Sequence, residues 1–219
     1  MFIGHFALGL AAKRATPEVS LAVLFSAAQL ADLLWPVFLA AGLEQVRIEP
    51  GITAFTPLDF VSYPYSHSLI LLVGWGLALA LACRAFVRHG SVVPIIAGLV
   101  VSHWFLDFIT HRPDMPIYPG GPRLGLGLWN SIPATAAVEV PMFFAGVWIY
   151  ARSTRARDGI GRWAFMGLMA TLLLIYVASI FGPPPPSVRA LVITMAAGSP
   201  LFIGWSWWAD RHRDAIQVR

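Results

Sequence analysis

The segment Ser102-His103-Trp104-Phe105-Leu106-Asp107-Phe108-Ile109-Thr110-His111 places two imidazoles and a carboxylate at i, i+4 and i+8 of an otherwise apolar run. On an α-helix these three side chains share a face about 80° wide, close enough to hold one ion or to pass a proton between neighbours. Ionisable groups inside apolar spans are costly, so their default reading is functional. Arg112-Pro113 follows and stops the helix. Three more residues of the right types lie elsewhere. His67 sits in Tyr63-Pro64-Tyr65-Ser66-His67-Ser68-Leu69 at the start of another apolar run, His5 in Gly4-His5-Phe6, and Asp32 in Gln29-Leu30-Ala31-Asp32-Leu33-Leu34-Trp35-Pro36. An unpaired carboxylate in apolar surroundings is neutralised or attracts a cation.

His5, Asp32, His67, His103 and Asp107 together form a ligand set suited to zinc or another borderline divalent metal. Four of them would hold one ion, and all five could hold two. His111 borders a loop and is either a further ligand or an ordinary interfacial residue. Glu139, in Ala137-Val138-Glu139-Val140-Pro141, could be a sixth ligand or a general base. A metal lowers the pKa of its water to about 7, and a carboxylate such as Glu139 or Asp107 can then orient or deprotonate that nucleophile. Arg112 and Arg123 could neutralise a substrate phosphate. Cys83 is the single cysteine, which excludes an intramolecular disulfide and a cysteine metal cage. The structural alternative is that the same residues only lock helices together: a His103–Asp107 hydrogen bond, a helix cap at His67, Asp32 bonded to a Trp or Tyr. His-Glu-x-x-His, Gly-x-Ser-x-Gly and Walker-type motifs are absent.

Composition dictates what must position these groups. The chain has 219 residues, 58% hydrophobic and 12% charged, with mean hydropathy +0.70, where a soluble domain carries about 25% charged residues. Apolar runs over 17–43, 66–88, 91–111, 131–151, 162–181 and 187–209 are each long enough to cross about 30 Å of hydrocarbon. Residues 2–12 form a shorter one. The expectation is an all-α, polytopic transmembrane helical bundle of about six spans plus an N-terminal half-helix, one integral membrane domain over 1–219. The opening run is expected to stay in the mature protein rather than act as a signal peptide, because Lys13 and Arg14 follow it.

Lys13, Arg14, Arg84, Arg88, Arg152, Arg155, Arg157, Arg162, Arg211, Arg213 and Arg219 fall on one side of the spans, and Arg47, Arg112, Arg123 and Arg189 on the other. That bias predicts a cytoplasmic C-terminus and a site near the periplasmic face of a bacterial inner membrane. The net charge of +4 therefore reads as topology rather than nucleic-acid binding. The partners expected are membrane lipids and an amphiphilic substrate. The outward loops 44–65 and 112–130 are long enough to cover a site, and the proline run 183–186 is a stiff connector. Asp59 and Asp114 could line an entrance but, like His89 and His212, are expected to be solvated, and Trp205, Trp207 and Trp208 to belong to an interfacial belt. One geometric conflict arises: if Lys13 marks the membrane surface, His5 lies about 12 Å above it and Asp32 roughly 24 Å, so His5 joins the set only if the half-helix is sunk.

Gly4-His5, Asp32, Ser66-His67-Ser68 and His103-x-x-x-Asp107 resemble the motifs of a family of bacterial membrane proteins regarded as metal-dependent hydrolases, related to the LexA-binding inner-membrane-associated hydrolases. Leu128-Trp129-Asn130-Ser131 and the run Gly182 to Pro186 extend the likeness. Ala31 and Leu34 stand where that family commonly has the proline and second aspartate of Pro-Asp-x-Asp. The ligand order is also distantly similar to zinc-dependent phospholipase C. The resemblance implies a membrane-embedded metal-dependent hydrolase, with one or two zinc ions cleaving a phosphoester. The competing expectations are a proton- or cation-coupled transporter and a noncatalytic scaffold.

Overall fold

A computed structural model describes residues 1–87 and 90–216. Arg88, His89 and Arg219, which entered the reading of topology and solvation above, lie outside the described residues. The architecture is the expected helical bundle. In chain order it comprises α1 (Ile3–Ala12), α2 (Leu21–Ala28), α3 (Leu30–Ala40), a hairpin of β1 (Gln45–Ile48) and β2 (Leu58–Ser62), α4 (Pro64–His67), α5 (Leu69–Phe86) and α6 (Val92–Thr110). A two-residue hairpin of β3 (Met115–Pro116) and β4 (Arg123–Leu124) follows. The rest is α7 (Ile132–Ser153), β5 (Thr154–Ala156), α8 (Gly159–Phe181), α9 (Val188–Asp210) and β6 (Arg213–Ala215). Among the described residues, α5 to α9 are long and apolar enough to cross a membrane, and α2 with α3 makes a sixth candidate bent by 59°.

Local chemistry fixes the helix starts. Ser20, Ser131, Asp158 and Ser187 each accept a backbone N–H three residues on, capping α2, α7, α8 and α9. The stripe Ile70, Val73, Leu77 and Leu81 of α5 is exposed, the pattern of a helix facing lipid. Lipid tails give helices no hydrophobic reason to associate, so close approach and polar contacts do the joining. Gly146 of α7 is such a contact: a Cβ there would strike the backbone of Ala7, so its absence lets α1 lie directly on α7.

The structure corrects several expectations. The run 17–43 is not one straight span but breaks at Gln29. His67 does not open α5; it ends the separate turn α4, with extended Ser68 between them. His111 is extended backbone beyond α6, so it is not the third member of a helical face. The two long loops carry hairpins. Lys13 does not mark a solvated surface. It is buried, its ammonium donating to Asp210 Oδ2 at 2.7 Å and to the Val19 carbonyl at 2.9 Å. Asp210 also accepts from Tyr150 Oη at 2.6 Å and the Leu21 N–H at 3.0 Å, which ties α1, α2, α7 and α9 together at one end of the bundle. His212 is half-buried and bonded to Asp158 at 2.7 Å, rather than free in solvent. With Lys13 buried inside the protein, it cannot serve as the marker from which the height of His5 was reckoned.

Candidate metal centre

At the other end of α1, five elements converge on two carboxylates. The bend between α2 and α3 puts Asp32 in the first turn of α3, where the helix dipole favours a negative charge. The end of α2 leaves its last carbonyls without partners in the helix, and that of Ala28 accepts from His103 Nδ1 at 2.8 Å. A proton of His103 is thereby placed on Nδ1, so that in the neutral ring Nε2 carries the lone pair. That lone pair faces Asp107 Oδ2 at 3.1 Å and Asp32 Oδ2 at 3.9 Å, yet makes no hydrogen bond.

The same arrangement repeats twice. Ser66 Oγ donates to Glu44 Oε2 at 2.7 Å and stands 2.7 Å from His67 Nδ1, whose N–H it can accept. Glu44 is itself fixed by the N–H groups of Tyr65 and Ser66, both at 2.8 Å. His67 Nε2 then faces Asp32 Oδ1 at 3.6 Å and Asp107 Oδ2 at 3.9 Å. His111 Nδ1 lies 3.0 Å from Asp114 Oδ1, which also accepts from Tyr63 Oη at 2.7 Å, and His111 Nε2 faces Asp107 Oδ2 at 3.7 Å. Burial and the neighbouring Asp114 raise the Tyr63 phenol well above its usual pKa, so it stays a donor. Burial outweighs the nearby carboxylates at His111 and lowers its pKa, keeping the ring neutral.

Three imidazoles therefore hold their protons outward and turn lone pairs on carboxylate oxygens. Lone pairs facing anions repel unless a proton or a cation lies between them, and an outward Nδ1–H bond is how proteins orient histidine ligands. His5 differs. It stacks on His103 with ring centroids 3.7 Å apart and places Nε2 3.0 Å from Asp107 Oδ1, while its Nδ1 has no partner. The Met1 amino group also contacts Asp107 Oδ1 and donates to Thr110 Oγ1 at 3.0 Å. Two sets, His5, His103 and Asp107, and Asp32, His67 and His103, bring ligand atoms within 4.8 Å of one another.

Glu139, expected as a further ligand or a general base, also has a structural contact. Its Oε2 accepts from the N–H groups of Phe2 at 2.9 Å and Gly4 at 3.4 Å, holding the N-terminus of α1, and its Oε1 has no partner. Arg112 and Arg123 lie outside the ligand cluster. With Arg47 and Asn130 they line a surface cavity of about 490 Å³ that reaches Asp114. Arg112 pairs there with Asp59 at 2.7 Å and Arg123 donates to the Val61 carbonyl at 2.9 Å. Gly125 allows this loop to close, since any Cβ would collide with the Arg112 carbonyl.

Asp59 and Asp114 thus line a cavity, as the sequence allowed, and are partnered rather than merely solvated, while Glu44 is a functional candidate that sequence reasoning missed. Asp114 carried a weak signal, three residues after His111; Glu44 carried none. Trp129 covers the cluster, its ring centroid 4.2 Å from that of His111. Comparison with protein-family models, curated proteins and solved structures finds no match to this chain.

Proposed function

We propose that the protein is a metal-dependent hydrolase of the bacterial inner membrane that cleaves a phosphoester in a lipid or similar amphiphile. The observation that carries the reading is the outward placement of the Nδ1 protons of His67, His103 and His111 around Asp32 and Asp107. His67, His103, Asp32 and Asp107 would hold a divalent ion, zinc being the best match to this donor set, with His111 and His5 at its edge. When bound, such an ion polarises a phosphoryl oxygen and makes water nucleophilic at neutral pH. Asp107 and Asp32 supply the negative charge that balances the ion, and either can accept a proton from water. Glu44 and Asp114 hold the imidazoles in the tautomer that binds. The Arg47, Arg112 and Arg123 cavity favours an anionic group. The arginine-rich end opposite the site supports a cytoplasmic C-terminus and a site towards the periplasm.

The test is the metal content of the purified protein, by elemental mass spectrometry, beside a folded His103→Ala variant. One or two equivalents of metal in the wild type, lost together with phosphoesterase activity in the variant, is the expected result. Wild-type activity at wild-type metal content in His103→Ala would overturn it. A protein that takes up no metal after reconstitution would leave the same lone pairs to protons and move a proton-coupled transporter to the front.

The orienting carboxylates give a second, graded expectation. Asp114→Ala should weaken metal binding by about 10- to 100-fold without abolishing it, as loss of the partner behind a histidine ligand does. Competition with a chelator measures this directly, and affinity equal to wild type would remove His111 from the site.

A further inference from the structure

Side-chain exposure singles out one member of the cluster. The side chains of His5, His67, His103, Asp107 and His111 are at most 3% exposed, whereas that of Asp32 is 30% exposed. Asp32 lines an apolar groove of about 220 Å³ between α9 and the α1–α3 face, walled by Phe6, Phe25, Leu33, Met195 and Phe202 and floored in part by Gly198. The groove lies where α9 packs less deeply, with Val188, Leu191, Met195, Phe202 and Trp205 only half-buried against the core. The buried residues of α9 are Ser206, Ala209 and Asp210, all near the end that Lys13 grips, and no residue from Val188 to Trp205 is buried. Along the groove α9 also presents the small residues Thr194, Gly198 and Ser199.

A second observation points to a ligand. Gln29, one turn before Asp32, is 7% exposed, lines the same groove, and its Oε1 has no hydrogen-bond partner. A buried amide end left unpaired in apolar surroundings is costly. Read outward from the cluster, the order is a carboxylate of the site, an unpaired amide, then an apolar channel running roughly 14 Å along α9 from Thr194 to Ile203. That is the order of an amphiphile's phosphate, polar junction and hydrocarbon chain. A transmembrane helix does not fit, since one 10–12 Å across needs more than about 1,000 Å³ over that length.

We infer that this groove is a lateral entrance that seats one acyl chain of a membrane phospholipid, with its polar junction at Gln29 and its phosphoester at Asp32. The phosphoester end rests on the metal-hydrolase reading; the seat of the chain does not. Leaving the bilayer for the groove gains the chain no hydrophobic free energy, so the groove selects by shape and position.

The experiment places the full chain in nanodiscs containing a trace of phosphatidylglycerol with a diazirine at the end of one acyl chain, irradiates, and maps the label by peptide mass spectrometry. Labelling is expected to concentrate on the Met195–Phe202 stretch of α9 and on the Phe25–Leu33 stretch facing it. Gly198 has only Phe202 within 4 Å of a built Cβ, so Gly198→Leu fills the groove without a backbone clash. It should lower this labelling by about tenfold, the effect of roughly 1.4 kcal/mol of steric exclusion. Thr194→Leu should do the same at the other end of the groove and stands in if Gly198→Leu does not fold. Gly74→Leu, on the open face of α5, should change nothing.

Label spread evenly over the lipid-facing helices and indifferent to both groove variants would overturn the inference. So would crosslinks showing a second copy's helix over the groove. The two readings fail separately. Focused labelling on a protein that binds no metal removes the hydrolase and keeps the acyl seat. Metal-dependent cleavage of a soluble phosphodiester with diffuse labelling does the reverse.

Discussion

Asp107→Asn is expected to empty the centre of metal while leaving the helices in place. One carboxylate meets four imidazole nitrogens, those of His5 at 3.0 Å, His103 at 3.1 Å, His111 at 3.7 Å and His67 at 3.9 Å. Asparagine keeps the shape and removes the charge. It also turns an N–H group towards lone pairs that would otherwise bind the ion, so the variant satisfies the imidazoles internally and has no need of a cation. The loss of affinity should exceed the roughly 10- to 100-fold expected for an orienting residue, because a direct ligand and half the balancing carboxylate charge go together. Elemental analysis after dialysis, with circular dichroism to verify helicity, reads both halves of the expectation. Full metal occupancy in folded Asp107→Asn would remove Asp107 from the ligand set.

The second large effect lies at the opposite end. Lys13→Met leaves Asp210 buried with only Tyr150 and the Leu21 N–H to compensate it. Breaking a buried ion pair from one side costs about 3–5 kcal/mol, whereas replacing both partners by apolar groups of similar size is often close to neutral. Lys13→Met should therefore lower the thermal unfolding temperature in detergent sharply, and Lys13→Met with Asp210→Leu should recover most of it. Equal stability of the single variant and the wild type would mean that the pair is solvated and holds nothing.

The spans were legible because hydropathy over about 20 residues is a strong signal, and the ligand candidates because ionisable residues in apolar runs are rare. What escaped was whatever depends on partners far apart in sequence. Nothing in Ala27-Ala28-Gln29-Leu30 breaks a helix; the bend goes with a carbonyl of Ala28 that serves His103, 75 residues away. Glu44 reads as an ordinary loop acid until Ser66 and His67 are folded against it. Lys13 reads as a topology signal and Asp210 as the flank of a tryptophan cluster, because their pairing spans 197 residues. The depth of His5 could not be derived from rise per residue alone, since that calculation took Lys13 for the membrane surface. Glu139 reads as a ligand or a base by type and position, and only the packing of α1 on α7 reveals that it also holds the backbone of α1.

The Lys13–Asp210 bond also sets an order on biogenesis. Synthesis delivers α1 first and Asp210 only 197 residues after Lys13. Asp32, His67, His103 and Asp107 can come together once α6 has been inserted. The element bearing His5 must wait for α7 to lie on, and the ammonium of Lys13 has no carboxylate until α9 arrives. A nascent chain thus carries an open, half-built cluster, and α1 locks only when α9 has been made. Ribosome-bound chains cut short before α9 would expose Lys13 to an amine-reactive probe that the finished protein resists, so closure around Lys13 waits for α9.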